Sequence, residues 1–408
     1  MSKKYTNILD LLHIFKIDKL EFNNTSKDVV KDLFILFSQG ERKYDKISSG
    51  LNPQISNMFT KSHEFGYMST ENQNEIAKMK GTQYKYDFSI DSNHFSVVFY
   101  TNTLNELDIQ KYIKWVYVWL YIAKTYAKSK CSSELNIYLY LTKLKKTLPK
   151  DGGMIGQEHA NTGYTMSCKK KNEINIFRQE EWFKVLIHES FHAFGLDFSE
   201  LDNTPYDGSE QILKLFPVSS DVNLFETYCE MWAELLNVIF IVYFNQTTKT
   251  INIYENIDKL IHAVENRIHN ERLFSLFQCA KVLYHYKLDY KELYEKSPHA
   301  QKERTLKYKE DTNVLSYYII KSIFMFFIDD YMNWCFDNNK THAEFFTLQI
   351  KQTPESIDKY CKFIENHYKT AQYISSLLLF ENWFRNSKNL NTISPELYNT
   401  LRMTVNAA

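Results

Sequence analysis

Alternating apolar and polar positions mark the strands in the first half of the chain. Two such segments, YKYDFSI (84–90) and HFSVVFY (94–100), flank the turn-like DSN and predict a pair of antiparallel strands. The segment ELNIYLYL (134–141) predicts another strand. Further on, TGYTMSC (162–168) and EINIFR (173–178) are separated only by KKKN, which predicts a β-hairpin.

Helical periodicity appears between these strands and after them. Apolar residues recur at i, i+3, i+4 and i+7 from Ile109 to Ala123, which predicts a long helix. The segment QEEWFKVLIHESFHAFG (179–195) predicts a second helix, with acidic residues in its first turn and Gly195 after its last.

A third strong helix is predicted after a loop at 197–220. Ser220 or Asp221 can cap this helix, and its apolar positions continue through Phe244. From 250 to 400 almost every segment has helical periodicity, and we predict no alternating strand there.

This order of elements divides the chain into three regions. Residues 1–80 form an accessory helical region, with helices at about 5–18 and 26–38 and polar sequence after them. Residues 81–200 form a mixed lobe of strands and helices, and residues 201–408 form an all-helical lobe. We therefore predict an α+β protein of two lobes, with a cleft along one helix.

Composition and charge argue against several classes of function. Lys+Arg and Asp+Glu both number 49, so nothing indicates a surface for nucleic acid or for an acidic membrane. The best apolar runs, Leu235–Phe244 and Val314–Ile328, are too short to span a bilayer, and we predict buried core helices. The N-terminal sequence resembles no secretory signal, so we expect an intracellular, cytoplasmic protein whose six widely spaced cysteines are reduced.

The segment H-E-S-F-H carries the candidate chemistry. On a helix, residues i and i+4 lie on one face, so His188 and His192 can bind one zinc ion. Glu189 lies at the edge of that face, where it would reach a zinc-activated water as a general base rather than bind the metal. The apolar neighbours of the motif would bury this helix and exclude bulk water.

A catalytic zinc site needs a third protein ligand and an open fourth position. The next helix offers Glu226, Glu230 and Glu234, spaced four apart on one stripe. Stacked like charges destabilise a helix unless positive charge faces them, and a zinc ion with its histidines would supply that charge. Spacing alone does not choose among the three glutamates.

The two motifs together resemble those of the gluzincin branch of the zincin metallopeptidases. The resemblance implies that His188, His192 and Glu226 bind zinc, and that Glu230 orients a histidine ring from behind. It also implies a zincin-like fold of two lobes, and it covers about residues 84–244. The chain departs from the family pattern at Glu230, where Asp is commoner, and in its helical C-terminal third.

Several alternatives stay open at this stage. A ligand register one turn later would make Glu230 the ligand and Glu234 its support. Asp197 is a rival ligand, because HESFHAFGLD resembles the metzincin motif with its acidic residue one position early. The chain also resembles uncharacterised metallopeptidase-like proteins of large DNA viruses, which would place it in host cytoplasm or a virion.

The resemblance implies hydrolysis of peptide bonds in a peptide or protein substrate. We expect the substrate to lie extended along the 162–168 strand, which precedes the active-site helix as an edge strand. We interpret the tyrosines of Ser316–Tyr318 as core. Gluzincins also supply a Tyr or His that stabilises the oxyanion, and the resemblance implies that one residue of the C-terminal third has that role, among these tyrosines and His262, His269, His285 and His299; the sequence leaves open which one. The alternatives are a non-catalytic zincin-like protein with a structural or partner-binding function, and a zinc hydrolase of non-peptide amides.

Overall fold

A six-stranded mixed sheet forms the N-terminal part of the computed structural model, which describes residues 5–150, 152–247, 253–340 and 347–406. The strands are β1 (Gln54–Ser56), β2 (Thr82–Ile90), β3 (Asn93–Thr101), β4 (Glu134–Tyr140), β5 (Ile155–Gly156), β6 (Gly163–Thr165), β7 (Lys171–Ile176) and β8 (Glu310–Asp311). The order across the sheet is β1-β2-β3-β4-β7-β6, and β5 pairs separately with β8. The predicted α+β class is confirmed.

The sheet mixes antiparallel and parallel pairs. The predicted β2–β3 pair is antiparallel, and the predicted hairpin forms from β6 and β7. The predicted 134–141 strand is β4, which lies parallel to both β3 and β7. A parallel connection needs a crossover, and the predicted Ile109–Ala123 helix supplies the one between β3 and β4. β6 is therefore an edge strand of the sheet.

Helices make up most of the remaining chain. They are α1 (Ile8–Leu12), α2 (Asn24–Ile47), α3 (Thr70–Lys78), α4 (Glu106–Tyr126), α5 (Gln157–Ala160), α6 (Trp182–Phe194), α7 (Ser209–Leu215), α8 (Leu224–Thr247), α9 (Ile253–His285), α10 (Tyr290–Tyr294), α11 (Pro298–Lys307), α12 (Lys321–Phe326), α13 (Ile328–Asn338), α14 (Pro354–His367), α15 (Ala371–Arg385), α16 (Ser387–Leu390) and α17 (Pro395–Asn399). A π-helical turn at Leu315–Ile320 leads directly into α12.

The buried helix α6 lies where the sheet meets the helical region. It packs against β6, β7 and α4 on one side and against α8 on the other. Every residue of α6 is buried, and its apolar side chains join a core that extends from the sheet into the C-terminal helices. Gly195 ends α6 with φ of 65°, in the left-handed region that glycine adopts readily, as the sequence predicts.

The start of α6 differs from the prediction. The helix begins at Trp182, so no acidic residue lies in its first turn. Glu181 precedes it in a left-handed conformation, and its buried carboxylate pairs with Lys146 at 2.8 Å. Glu181 is therefore a buried ionic contact rather than a partner of the helix dipole.

The start of α8 also differs from the prediction of a cap at Ser220 or Asp221. The helix begins at Leu224. The backbone carbonyl of Asn223 accepts a hydrogen bond from Ser316 Oγ at 2.9 Å, and its side chain donates to Asn313 at 3.0 Å. Asn223 is thus the residue before the helix, and its carbonyl also accepts a hydrogen bond from Glu226 N at 3.3 Å.

Other differences concern short or polar elements. The predicted 197–220 loop contains α7, and the region predicted to be all-helical contains β8, whose two residues are too few to produce an alternation. In the first 80 residues, α1 is shorter and α2 longer than predicted, and the polar strand β1 pairs with β2.

The predicted burial of the two apolar runs is confirmed. Among the described residues, the helix at Leu224–Asn245 is long and apolar enough to cross a membrane, but 94% of its most apolar stretch is buried within the fold. The run at Leu315–Phe326 is shorter and entirely buried. Both are buried helices of the core.

The prediction that all six cysteines are reduced is wrong, because Cys131 and Cys168 form a disulfide. Because 37 residues separate them in the sequence, their proximity in the fold is not visible from their spacing. Cys131 lies three positions before Glu134 of β4, and Cys168 lies three positions before Lys171 of β7. Glu134 and Lys171 are partners across these two parallel strands. The other four cysteines are free, as predicted, and they are buried.

Candidate metal centre

Three side chains from two buried helices converge on one point. His188 and His192 lie one turn apart on α6, and their Nε2 atoms are 3.3 Å from each other. Glu226 extends from the first turn of α8, and its Oε2 lies 3.0 Å from His188 Nε2 and 3.7 Å from His192 Nε2. The structure thus brings together the three residues that the sequence nominates as ligands.

The outer nitrogen of each imidazole contacts a carboxylate. His188 Nδ1 lies 3.2 Å from Glu230 Oε2, and His192 Nδ1 contacts Asp197 Oδ2. With a metal bound, each carboxylate would hold the ring proton on Nδ1 and leave the Nε2 lone pair facing the ion. Two inward lone pairs beside a carboxylate oxygen fit a zinc ion with an open fourth position.

Asp197 lies behind His192, on the side away from Glu226. Its Oδ1 accepts hydrogen bonds from Ser199 N at 3.2 Å and from Ser199 Oγ at 2.8 Å, which fix the carboxylate. From the sequence, Asp197 is predicted only as a rival ligand, and its contact with His192 is not predicted. One feature of the sequence could have indicated this contact. Asp197 follows Gly195, the residue at which α6 ends and the chain turns back toward the helix.

A second group of possible ligands consists of His192, Asp197 and Cys229. The Cys229 thiol donates to Asp197 Oδ2 at 3.2 Å. Burial raises the pKa of this thiol well above its usual value, and a protonated thiol is a poor ligand. This group therefore fits a hydrogen-bonded support for His192 better than a metal site.

Burial and charge set the protonation of the site. Burial lowers the pKa of His188, but its hydrogen bonds with Glu226 and Glu230 raise the pKa more, so the net shift is upward. Burial raises the pKa of Glu226, but the charge of His192 and the hydrogen bond with His188 lower it more. Glu226 is thus held as the anion that a cation site requires.

The acidic stripe on α8 faces cations along its whole length. Glu230 forms an ion pair with Lys184, and Glu234 accepts a hydrogen bond from Lys321 at 2.6 Å. Both lysines are 2% exposed. The predicted positive partners were zinc and its histidines alone, so sequence reasoning missed the lysines. Lys184 precedes His188 by one helical turn, so the spacing alone could have predicted that both side chains face the same stripe of α8.

Glu189 lies beside the histidines with only 7% of its surface exposed. It borders a small cavity of about 30 Å³ together with His188 and Tyr317. Burial raises the pKa of the Glu189 carboxyl, although the charges of both histidines oppose the rise. A carboxyl group with a raised pKa is suited to accept and return a proton near neutral pH.

Tyr317 contacts the candidate site, although the sequence analysis placed it in the core. Its hydroxyl donates to Glu226 Oε2 at 2.8 Å. The π-helical turn that carries it places the neighbouring Tyr318 in the core, where its hydroxyl donates to the Leu401 carbonyl at 2.7 Å. Helical periodicity could not separate two adjacent tyrosines, because a π-turn shifts the faces of the helix.

The edge strand β6 borders the same cavity through Gly163. A Cβ atom at Gly163 would lie 3.0 Å from both Asn175 O and Val185 Cγ1, so glycine permits the close approach of β6 to β7 and α6. β6 therefore lies beside the cavity that His188 borders.

Comparison with protein-family models, curated proteins and solved structures finds no match for this chain.

Proposed function

We propose that this protein is a zinc-dependent metallopeptidase of zincin-like, two-lobed construction. The observation that carries the proposal is the convergence of His188 Nε2, His192 Nε2 and Glu226 Oε2, with a carboxylate behind each ring. Two neutral imidazoles and one carboxylate form a common ligand set of catalytic zinc. When bound, zinc would supply Lewis-acid activation of water and of the scissile carbonyl.

The chain's own groups would carry the remaining chemistry. Glu189 would take a proton from the attacking water and return it to the leaving amine. The Tyr317 hydroxyl would donate to the oxyanion as the carbonyl becomes tetrahedral. An extended peptide would pair with β6, and a structure with a bound peptide inhibitor far from Gly163 would contradict that placement.

A non-catalytic zincin-like protein is the second candidate. The small size of the cavity favours it, because about 30 Å³ holds water but no peptide. The buried Glu189 speaks for catalysis, because a carboxyl group buried without need is costly.

The test is metal analysis paired with a peptide-library cleavage assay. We expect about one zinc per chain, lost in His188→Ala and in His192→Ala but retained in His262→Ala, whose side chain is 74% exposed. Glu189→Gln should keep zinc and lower the hydrolysis rate about 10²–10⁴-fold, since an amide accepts no proton.

Two results would contradict the proposal. Wild-type protein without zinc after chelator-free purification would remove the metal site. Zinc-loaded protein that cleaves no peptide, both as wild type and after loosening of the 401–406 segment described below, would support the non-catalytic candidate.

The cellular location of the protein is also a proposal. We propose an intracellular, cytoplasmic location, although the Cys131–Cys168 disulfide is of a kind that reducing compartments disfavour. Trapping of thiols in the native host, followed by mass spectrometry of this pair, tests the location.

A further inference from the structure

Residues 401–406 lie in a slot between the sheet region and the C-terminal helices. They form no helix or strand, yet Leu401, Met403 and Thr404 are almost completely buried. Buried backbone outside regular structure needs other partners for its polar groups. Here, side chains supply most of them.

Two buried glutamates accept the backbone N–H groups of this segment. Glu181 Oε1 accepts from Met403 N at 2.8 Å and from Thr404 N at 2.7 Å. Glu271 accepts from the next two backbone N–H groups, at 3.0 Å and 3.1 Å. Glu181 precedes α6 and Glu271 lies on α9, so both sides of the slot hold the segment.

The carbonyl groups are bound in the same manner. Tyr318 donates to the Leu401 carbonyl at 2.7 Å, and Lys321 Nζ donates to the Met403 carbonyl at 2.8 Å. Gln278 donates to the Arg402 carbonyl. Contacts from side chains to main-chain groups bind an extended peptide with little regard to its sequence.

The segment also reaches the candidate metal centre. Met403 borders the cavity that His188 and Glu189 share, and its Sδ lies 3.8 Å from Lys184 Nζ. Lys184 in turn pairs with Glu230 behind His188. With Met403 in place, the cavity holds little more than a water molecule.

We infer that residues 401–406 are an internal peptide ligand that blocks access to the metal centre. The slot would then be a binding site for extended peptide main chain. Departure of the segment would free Glu181, Glu271 and Lys321 for the part of an incoming peptide that extends beyond β6, since Gly163 and Met403 border the same cavity. This inference rests on the proposed function, because only a peptide-binding enzyme needs such a slot beside its metal site.

The first test measures access to the histidines in metal-free protein. Diethyl pyrocarbonate modifies exposed imidazoles, and mass spectrometry measures the rate of modification at His188 and at His192. We expect Met403→Ala to raise both rates about tenfold or more, because loss of the side chain makes local opening easier. Met58→Ala is the matched control, since Met58 is 78% exposed.

A second variant loosens the segment away from the metal centre. Glu271→Gln replaces the anion that accepts the N–H groups of Val405 and Asn406, and it should raise the same two rates. Thermal melting of both variants checks that the fold persists, and either folded variant suffices for the test. Wild-type modification rates in every folded variant would overturn the inference.

The outcome separates this inference from the proposed function. Faster modification without any peptide hydrolysis would support the blocking segment and contradict the peptidase. Hydrolysis at unchanged rates in Met403→Ala and Glu271→Gln, with unchanged histidine modification, would support the peptidase and contradict the blocking segment.

Discussion

Glu226 and Glu230 lie one helical turn apart on α8 and meet opposite sides of the same imidazole. Glu226 Oε2 is 3.0 Å from His188 Nε2, whereas Glu230 Oε2 is 3.2 Å from His188 Nδ1. Only Glu226 also approaches His192 Nε2, at 3.7 Å. This geometry supports the earlier of the two registers that the sequence leaves open.

Zinc affinity tests the register. We expect Glu226→Ala to abolish stoichiometric binding, because it removes a ligand, and Glu230→Ala to weaken binding about 10–100-fold, because it removes a support. Titration with a zinc-competing chelator measures both, and Glu210→Ala on the exposed face of α7 is the control. Retention of zinc by Glu226→Ala and its loss from Glu230→Ala would place the ligand one turn later.

At the residue scale, the sequence predicts what local spacing determines. His188, Glu189 and His192 follow from helical geometry alone. Asp197 and Tyr317 do not, because their contacts with His192 and Glu226 depend on a chain reversal and on a π-turn.

At the element scale, the π-turn sets the direction of the Tyr317 hydroxyl. We expect Tyr317→Phe to keep zinc but lower kcat about 10²-fold or more, because it removes a donor to the oxyanion while preserving the ring. Tyr318→Phe is the neighbouring control, since its hydroxyl bonds the backbone instead. Equal kcat values in Tyr317→Phe and wild type would assign the oxyanion donor elsewhere.

The short strand β8 ends just before this turn and contains Glu310. Burial raises the pKa of Glu310 to about 7, although a hydrogen bond from the Leu315 N–H opposes the rise. The unfolded chain releases this proton near pH 4.3, so the folded state binds it more tightly. Its contribution to stability is therefore complete at low pH and is lost as pH rises toward 7.

Glu310→Gln should remove that loss. We expect the variant to gain stability relative to wild type between pH 5 and pH 8, in urea unfolding measured at both values. Glu21→Gln, at an exposed position, should leave the pH dependence unchanged. A parallel shift of wild type and Glu310→Gln with pH would show that Glu310 does not titrate in this range.

Element prediction succeeded where the pattern is long. Alternation over seven residues identified β2, β3 and β4, and the hairpin followed from its short connection. Elements governed by tertiary contacts were missed, such as the two-residue β8 and the delayed start of α8 at Leu224. Local patterns contain no information about such partners.

At the scale of the whole molecule, the Cys131–Cys168 disulfide links the segments that enter two adjacent parallel strands. A loop closed by a disulfide reduces the conformational entropy of the unfolded chain. Native disulfides contribute about 2–4 kcal/mol to the free energy of unfolding. We expect Cys131→Ser to lose roughly that amount in urea unfolding. Wild type in reductant should match the variant, and equal stability of oxidised wild type and Cys131→Ser would contradict the prediction.

The order of a sheet region followed by a helical region is visible in the sequence only in outline. The change from strands to helices after α6 is visible in the pattern, but the slot that residues 401–406 fill is not. Its contacts with Glu181, Lys321 and Glu271 join residues that are 82 to 222 positions apart in the sequence. No local window contains such partners.

The state of the cysteines has a practical consequence. All six lie in the described ranges, two are bonded to each other, and the remaining four are buried. A maleimide dye would therefore find little to react with on the native surface. A single cysteine introduced at an exposed position, such as Tyr206, could then report spectroscopically on motion near the α6–α8 junction without removal of the natural thiols.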